Sequence, residues 1–183
     1  MNPSKLGQTS ESSSIKDAIE AVCAGHFHQC LWIPETPEHG KLRITFSTTS
    51  NFEDMSLPTI LFCAPLFGSR WASLEVDCLA RSMGVRVINV DRYVSYRVCI
   101  LASRRLEIVL THRSPGMGGS TRVSLNLRMQ TWREIVPLLL ERLRVKRVSL
   151  VCHSAGAIYA LDTLYHLRGI LDPSMPYVAL IGK

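Results

Sequence analysis

Lys146-Arg147-Val148-Ser149-Leu150-Val151-Cys152-His153-Ser154-Ala155-Gly156-Ala157-Ile158-Tyr159-Ala160-Leu161 changes its hydrophobic period partway along. Residues 147–152 are a short apolar run with β-branched side chains, which reads as a buried strand. From Ala155 onward, Ala157, Ile158, Ala160, Leu161, Leu164 and Leu167 recur at helical spacing. Only Cys152-His153-Ser154-Ala155-Gly156 lie between the two periods. A chain that passes from strand to helix so abruptly bends sharply and holds its serine in a strained backbone conformation. The bend lifts the hydroxyl clear of the sheet and aims it at the helix N-terminus, where the dipole favours negative charge. Positions two before and two after the serine must be small, because neighbouring backbone passes close by. Gly156 meets that need; Cys152, where glycine is usual, is about the size of serine. A helix N-cap is the plainer role for Ser154, but a strand before it and a helix after it select the sharper one.

This strand–serine–helix pattern resembles the nucleophile elbow of the α/β-hydrolases, and chiefly the N-terminal half of the catalytic core in eukaryotic members. The resemblance covers about residues 28–182 apart from 93–114. It implies an α/β fold: a mostly parallel sheet with helices on both faces, incomplete at the C-terminus. It further implies Ser154 as nucleophile on an elbow of Cys152, His153 and Gly156. The implied chemistry is hydrolysis of an ester or related acyl bond in a small molecule, without metal or organic cofactor. The run Thr59-Ile60-Leu61-Phe62-Cys63 is followed by Ala64-Pro65-Leu66-Phe67-Gly68-Ser69-Arg70, where such proteins carry their first oxyanion loop, usually with His-Gly. Pro65 has no N–H to donate, so the resemblance assigns the two oxyanion donors to the backbone of Leu66 and of Ala155.

Composition sets the outer bounds. A chain of 183 residues, 46% hydrophobic, is long enough for one domain with a sizeable core. No apolar run reaches membrane-spanning length, and residues 1–14 lack the apolar stretch of a signal peptide, so the expected location is the cytoplasm. Cys23, Cys30, Cys63, Cys78, Cys99 and Cys152 show no paired metal or redox spacing and read as reduced. The formal charge is +6, but the basic residues are scattered and not interleaved with aromatics, which argues against a nucleic-acid partner.

Taken in order, residues 1–14 read as a disordered tail and 15–183 as a partial core. A short helix is expected over 15–23, strands over 28–34, 42–48 and 59–63, a helix over 71–83 ended by Gly84, and a strand over 85–90. A helix follows over 127–143, with Trp132, Ile135, Val136, Leu139, Leu140 and Leu143 inward and Pro137 kinking or restarting it. A last strand is expected over 177–181. Asp91-Arg92 and Pro115-Gly116-Met117-Gly118-Gly119-Ser120 resemble two halves of one signature of the same family, Asp-Arg-Pro-Gly-x-Gly-x-Ser. The 22 residues 93–114 part them. That insert has no Gly, Pro, Asn or Asp, and it sets four arginines against one glutamate. It reads as a translated intron: its codons can carry a donor-like start, a branch-point-like interior and a terminal AG in the phase that rejoins Arg92 to Pro115. A hairpin insertion is the alternative.

After Ser154 the chain offers only Asp162, Asp172 and His166. At helical geometry Asp162 and His166 lie roughly 12 and 18 Å of rise from the serine and suit each other as partners. His153 is expected to point into the packing beneath the elbow. The triad therefore reads as incomplete and the chain as inactive by itself. The strand over 177–181 reads as an unpaired apolar edge open to self-association. Two function classes follow: a serine hydrolase, or a non-catalytic half-domain that binds a protein partner through that edge.

Overall fold

The strands Gln29–Ile33 (β1), Leu42–Thr48 (β2), Thr59–Cys63 (β3), Arg86–Val90 (β4), Ser149–His153 (β5) and Val178–Ile181 (β6) form one sheet in a computed structural model. The structure describes residues 15–65, 68–92, 119–174 and 178–182. The order is β1-β2-β4-β3-β5-β6. β2 is antiparallel to both its neighbours, and β4, β3, β5 and β6 are mutually parallel. Among the parallel strands, β3 is apolar throughout after Thr59, and β4 is buried at every residue. That pattern is what a strand covered on both faces requires.

Helices occupy residues 15–23 (α1), Ala72–Met83 (α2), Arg128–Arg142 (α3) and Ala157–His166 (α4). One sheet face, through Leu61, Cys63, Ile88, Leu150 and Cys152, packs against Trp132, Ile135, Val136, Leu139 and Leu140 of α3 and Ala160 of α4. The other face, through Ile60, Phe62 and Val87, meets Val76 and Ala80 of α2. Helices thus cover both faces, as the resemblance implies. α2 ends where Gly84 takes a left-handed φ of 63°, which only glycine adopts without strain.

Two expectations change. Of the two alternatives at Pro137, a kink or a restart, the restart is absent: α3 runs through it as one helix. Pro137 sits on the exposed side of the helix, where the carbonyl it leaves unbonded can face water. His153 is not packed beneath the elbow but is the exposed last residue of β5. Side chains alternate along a strand: Cys152, 1% exposed, points into the α3 face, and His153 points to the opposite face at the strand's exposed end. The expected tail 1–14 and the insert 93–114 lie outside the described residues, as does Tyr177. Among the described residues no helix is long and apolar enough to cross a membrane.

Candidate active site

The register pairs Cys63 of β3 with Cys152 of β5, so the two turns that follow leave the sheet side by side at its carboxyl edge. Ser154 opens the second turn with a left-handed φ of 52°. A non-glycine residue in that region costs on the order of 1–3 kcal/mol and persists only where its surroundings enforce it. Enforcement comes from both flanks. Before Ser154, β5 is pinned between β3 and β6. After it, Ser154–Gly156 is a single tight turn, with Ala157 N–H donating to the Ser154 carbonyl, that runs straight into α4.

Gly156 makes the approach possible. A Cβ there would stand 1.9 Å from the Cys63 carbonyl oxygen and 2.7 Å from that of Ala64, so no other residue fits without moving backbone. Cys152 is accommodated because it points into the core rather than at the turn. Burial raises its thiol pKa, and burial beside Cys152 pushes the Cys63 thiol up to about 12. Both are inert packing groups rather than nucleophiles. Ala155 N–H belongs to the first turn, where backbone donors have no intrahelical partner. Leu66 lies outside the described residues.

The loop that would carry the other donor is held by the end of β4. Arg92 donates from its guanidinium to the Pro65 carbonyl, and it lies 4.8 Å from the ring centroid of Tyr159 on α4. Asn89, fully buried, donates to the Ser69 carbonyl at 2.8 Å. Asp91 accepts the Arg70 backbone N–H at 2.5 Å and its guanidinium at 2.6 Å. Gly68 N–H closes the turn onto the Pro65 carbonyl at 2.8 Å. One strand end therefore fixes the loop, and through Tyr159 reaches the elbow helix as well. Periodicity alone did not show these tethers; the signal available was polar and charged residues on a strand otherwise buried throughout.

The two signature halves meet in space. Ser120 Oγ donates to the Asp91 carbonyl at 2.9 Å and accepts the Thr45 N–H at 2.9 Å. Thr45 Oγ1 donates to Asp91 Oδ2 at 2.5 Å. Burial pushes the Asp91 carboxyl pKa up, against the pull of Thr45 and of Arg70. Residues 29 apart in sequence thus share one buried polar cluster.

No base among the described residues reaches the serine. Among the described residues Ser154 Oγ makes no hydrogen bond. His28 stands beside β1, four strands from β5 and so about 19 Å away. His39 hydrogen-bonds Glu134 on α3 at 2.8 Å. Asp162 is engaged bidentately by Arg133 at 2.8 to 3.2 Å, with His166 at 3.7 Å. The predicted Asp162–His166 pair exists, but Arg133 is the principal partner. Among the described residues no group of His, Cys, Asp and Glu is placed to hold a metal ion.

No protein-family model and no curated protein matches this chain. Solved structures do. A probable hydrolytic enzyme from Pseudomonas aeruginosa superposes with a TM-score of 0.53 at 20% identity, covering 78% of this chain and 39% of that one. The thioesterase domain from the curacin biosynthetic pathway gives 0.54 at 16% identity, with 84% and 46% covered. An epoxide hydrolase from Vigna radiata gives 0.52 at 15%, with 87% and 40% covered. The chain has the α/β-hydrolase fold, and it spans less than half the length of these three proteins.

Proposed function

We propose that this chain carries the nucleophile-bearing part of a serine hydrolase acting on ester or related acyl bonds. The observation that supports this best is the left-handed Ser154, φ 52°, at the carboxyl end of β5 in the order β1-β2-β4-β3-β5-β6. In the proposed reaction Ser154 Oγ attacks the acyl carbon, and the backbone N–H groups of Ala155 and Leu66 hold the developing oxyanion. Hydrolytic enzymes of several kinds share the fold, and fold does not choose among them.

A hydroxyl is a poor nucleophile until a base takes its proton, and the described residues supply none. The chain by itself is therefore proposed to be inactive. Where nucleophile and base fail, a residual about 10³–10⁴ over water comes from oxyanion and binding terms, much of which needs a closed pocket. The test is hydrolysis of p-nitrophenyl acetate with and without added imidazole as an external base. Without imidazole, turnover stays at background and Ser154→Ala changes nothing. With imidazole, the wild-type chain exceeds Ser154→Ala. Equal rates for the two under imidazole overturn Ser154 as nucleophile. Robust Ser154-dependent turnover without imidazole overturns the proposed inactivity.

The second reading is a non-catalytic role in which β6 binds a protein partner, or a second copy, by strand addition. It is favoured by the exposure of Leu180 and Ile181 on a strand paired on one side only among the described residues. Light scattering after size exclusion tests self-association; a monodisperse monomer counts against a second copy.

A further inference from the structure

At the amino ends of the parallel strands, opposite the elbow, lies a cavity of about 630 Å³ lined by the segments that lead into β3 and β5 and by Arg86, the first residue of β4. That volume suits a small organic ligand. Its wall carries four cations, Arg86, Arg144, Lys146 and Arg147, against one carboxylate, Asp172. The Asp172 Oδ1 accepts the Ser174 N–H at 2.9 Å and hydroxyl at 2.6 Å, which with the nearby Arg147 charge hold its pKa below the ordinary carboxylate range, so it stays ionised and four cations face one anion. Glu53 and Asp54 lie near Arg86, and Asp54 is likewise turned to Ser56.

The cations divide by what they already do. Arg86 is 4% exposed and spends its donors on the carbonyls of Leu57 and Phe52 and on Met55 Sδ. Arg147 donates to the carbonyls of Gly169 and Leu171. The Arg144 N–H closes the end of α3 onto the Glu141 carbonyl at 3.0 Å, but the side chains of Arg144 and Lys146 make no hydrogen bond, ion pair or ring contact among the described residues. Arg144 also sits just past the C-cap of α3 with φ 55°, the position where glycine is free of strain. An arginine there puts a cation on the cavity wall at a local conformational cost. Like charges gathered in a recess repel one another, and a multiply charged anion relieves that repulsion.

We propose that this cavity binds a phosphate-bearing small molecule, held by Arg144 and Lys146, with Arg147 and Arg86 adding positive charge to the same wall. Its place, one strand length or about 15 Å from the elbow, makes it separate from the site of Ser154. The proposal does not depend on Ser154 being a nucleophile.

Titration calorimetry of the full chain with inorganic pyrophosphate at low salt tests it. Saturable one-site binding is expected, weakened at least tenfold in an Arg144→Gly, Lys146→Ala double variant and weakened by added salt. Arg144→Gly removes the left-handed strain, so the double variant should unfold at a temperature no lower than the wild type, separating lost binding from lost fold. Absence of saturable binding overturns the proposal, as does equal affinity in the double variant. Sedimentation with vesicles containing a phosphoinositide forms the second arm. Vesicle binding that the double variant loses, without pyrophosphate binding, assigns the cations to a lipid headgroup and overturns the small-molecule reading.

Discussion

Along β2, β4 and β3 the inward side chains are out of water, with Ile44, Ile88 and Leu61 each at 0% exposure, whereas β6 leaves Leu180 at 65% and Ile181 at 55%. α4 shows the same division within one helix: Ala160 is fully buried, while Ile158, Leu161 and Tyr165 are exposed. The elbow stands on the boundary. Most of what positions Ser154 comes from the covered side: the β3 backbone against Gly156, the Pro65 loop, and the β4 end that ties this loop to α4, while β6 adds only its pairing with β5. Nothing described on the bare side touches the hydroxyl. The contrast separates two tasks. Holding a nucleophile in a strained conformation needs only a strand, a turn, a helix and one close neighbour, but activating it needs a base brought from elsewhere in the sheet.

The comparison breaks most visibly at its covered end. Asp91→Ala deprives Thr45, the Arg70 N–H and the Arg70 guanidinium of a shared buried acceptor. It is expected to cost about 3–5 kcal/mol in urea denaturation, the range for breaking a buried pair. A loss below about 1 kcal/mol would show the cluster to be dispensable. Next in size is Gly156→Ala, whose Cβ would collide with the Cys63 carbonyl. About 2–3 kcal/mol is expected, on the scale of overpacking a tight site. Unchanged stability would mean that the elbow is looser than its geometry indicates.

The bare end should respond in the opposite way. Leu180→Lys with Ile181→Lys is expected to shift stability by no more than about 0.5 kcal/mol, as exposed positions do, while lowering any self-association seen by light scattering. A large loss of stability would show that this edge is covered in solution.

The smallest expected effect tests the tie between the β1–β2 hairpin and α3. The hydrogen bond to Glu134, then that to the Gly40 carbonyl, raises the pKa of His39 above the ordinary value near 6.5. A raised folded pKa means stability that is fully present below the unfolded value and lost as pH climbs through the folded one. Unfolding free energy should therefore decline from about pH 6 upward by a few tenths of a kcal/mol, because Glu134 is partly exposed. His39→Gln should flatten that slope; an unchanged slope would assign the pH dependence to another group.

Much of this architecture is legible along the chain. β2 and β3 take the expected residues, 42–48 and 59–63, and α2, β4, α3 and β6 fall within one or two residues of expectation. The strain at Ser154 and the need for a small residue at 156 also follow from sequence, because an abrupt switch from a two-residue to a 3.6-residue period leaves the backbone no other route. These are local properties, written in neighbouring side chains. Tertiary structure alone decided the rest. It left His153 exposed at the end of β5, joined Ser120 to Asp91, ran Arg92 to Pro65 and Tyr159, and gave Asp162 to Arg133. Each of those outcomes depends on which distant segments pack together, and a polar side chain's partner is chosen by that packing rather than by its neighbours in the chain.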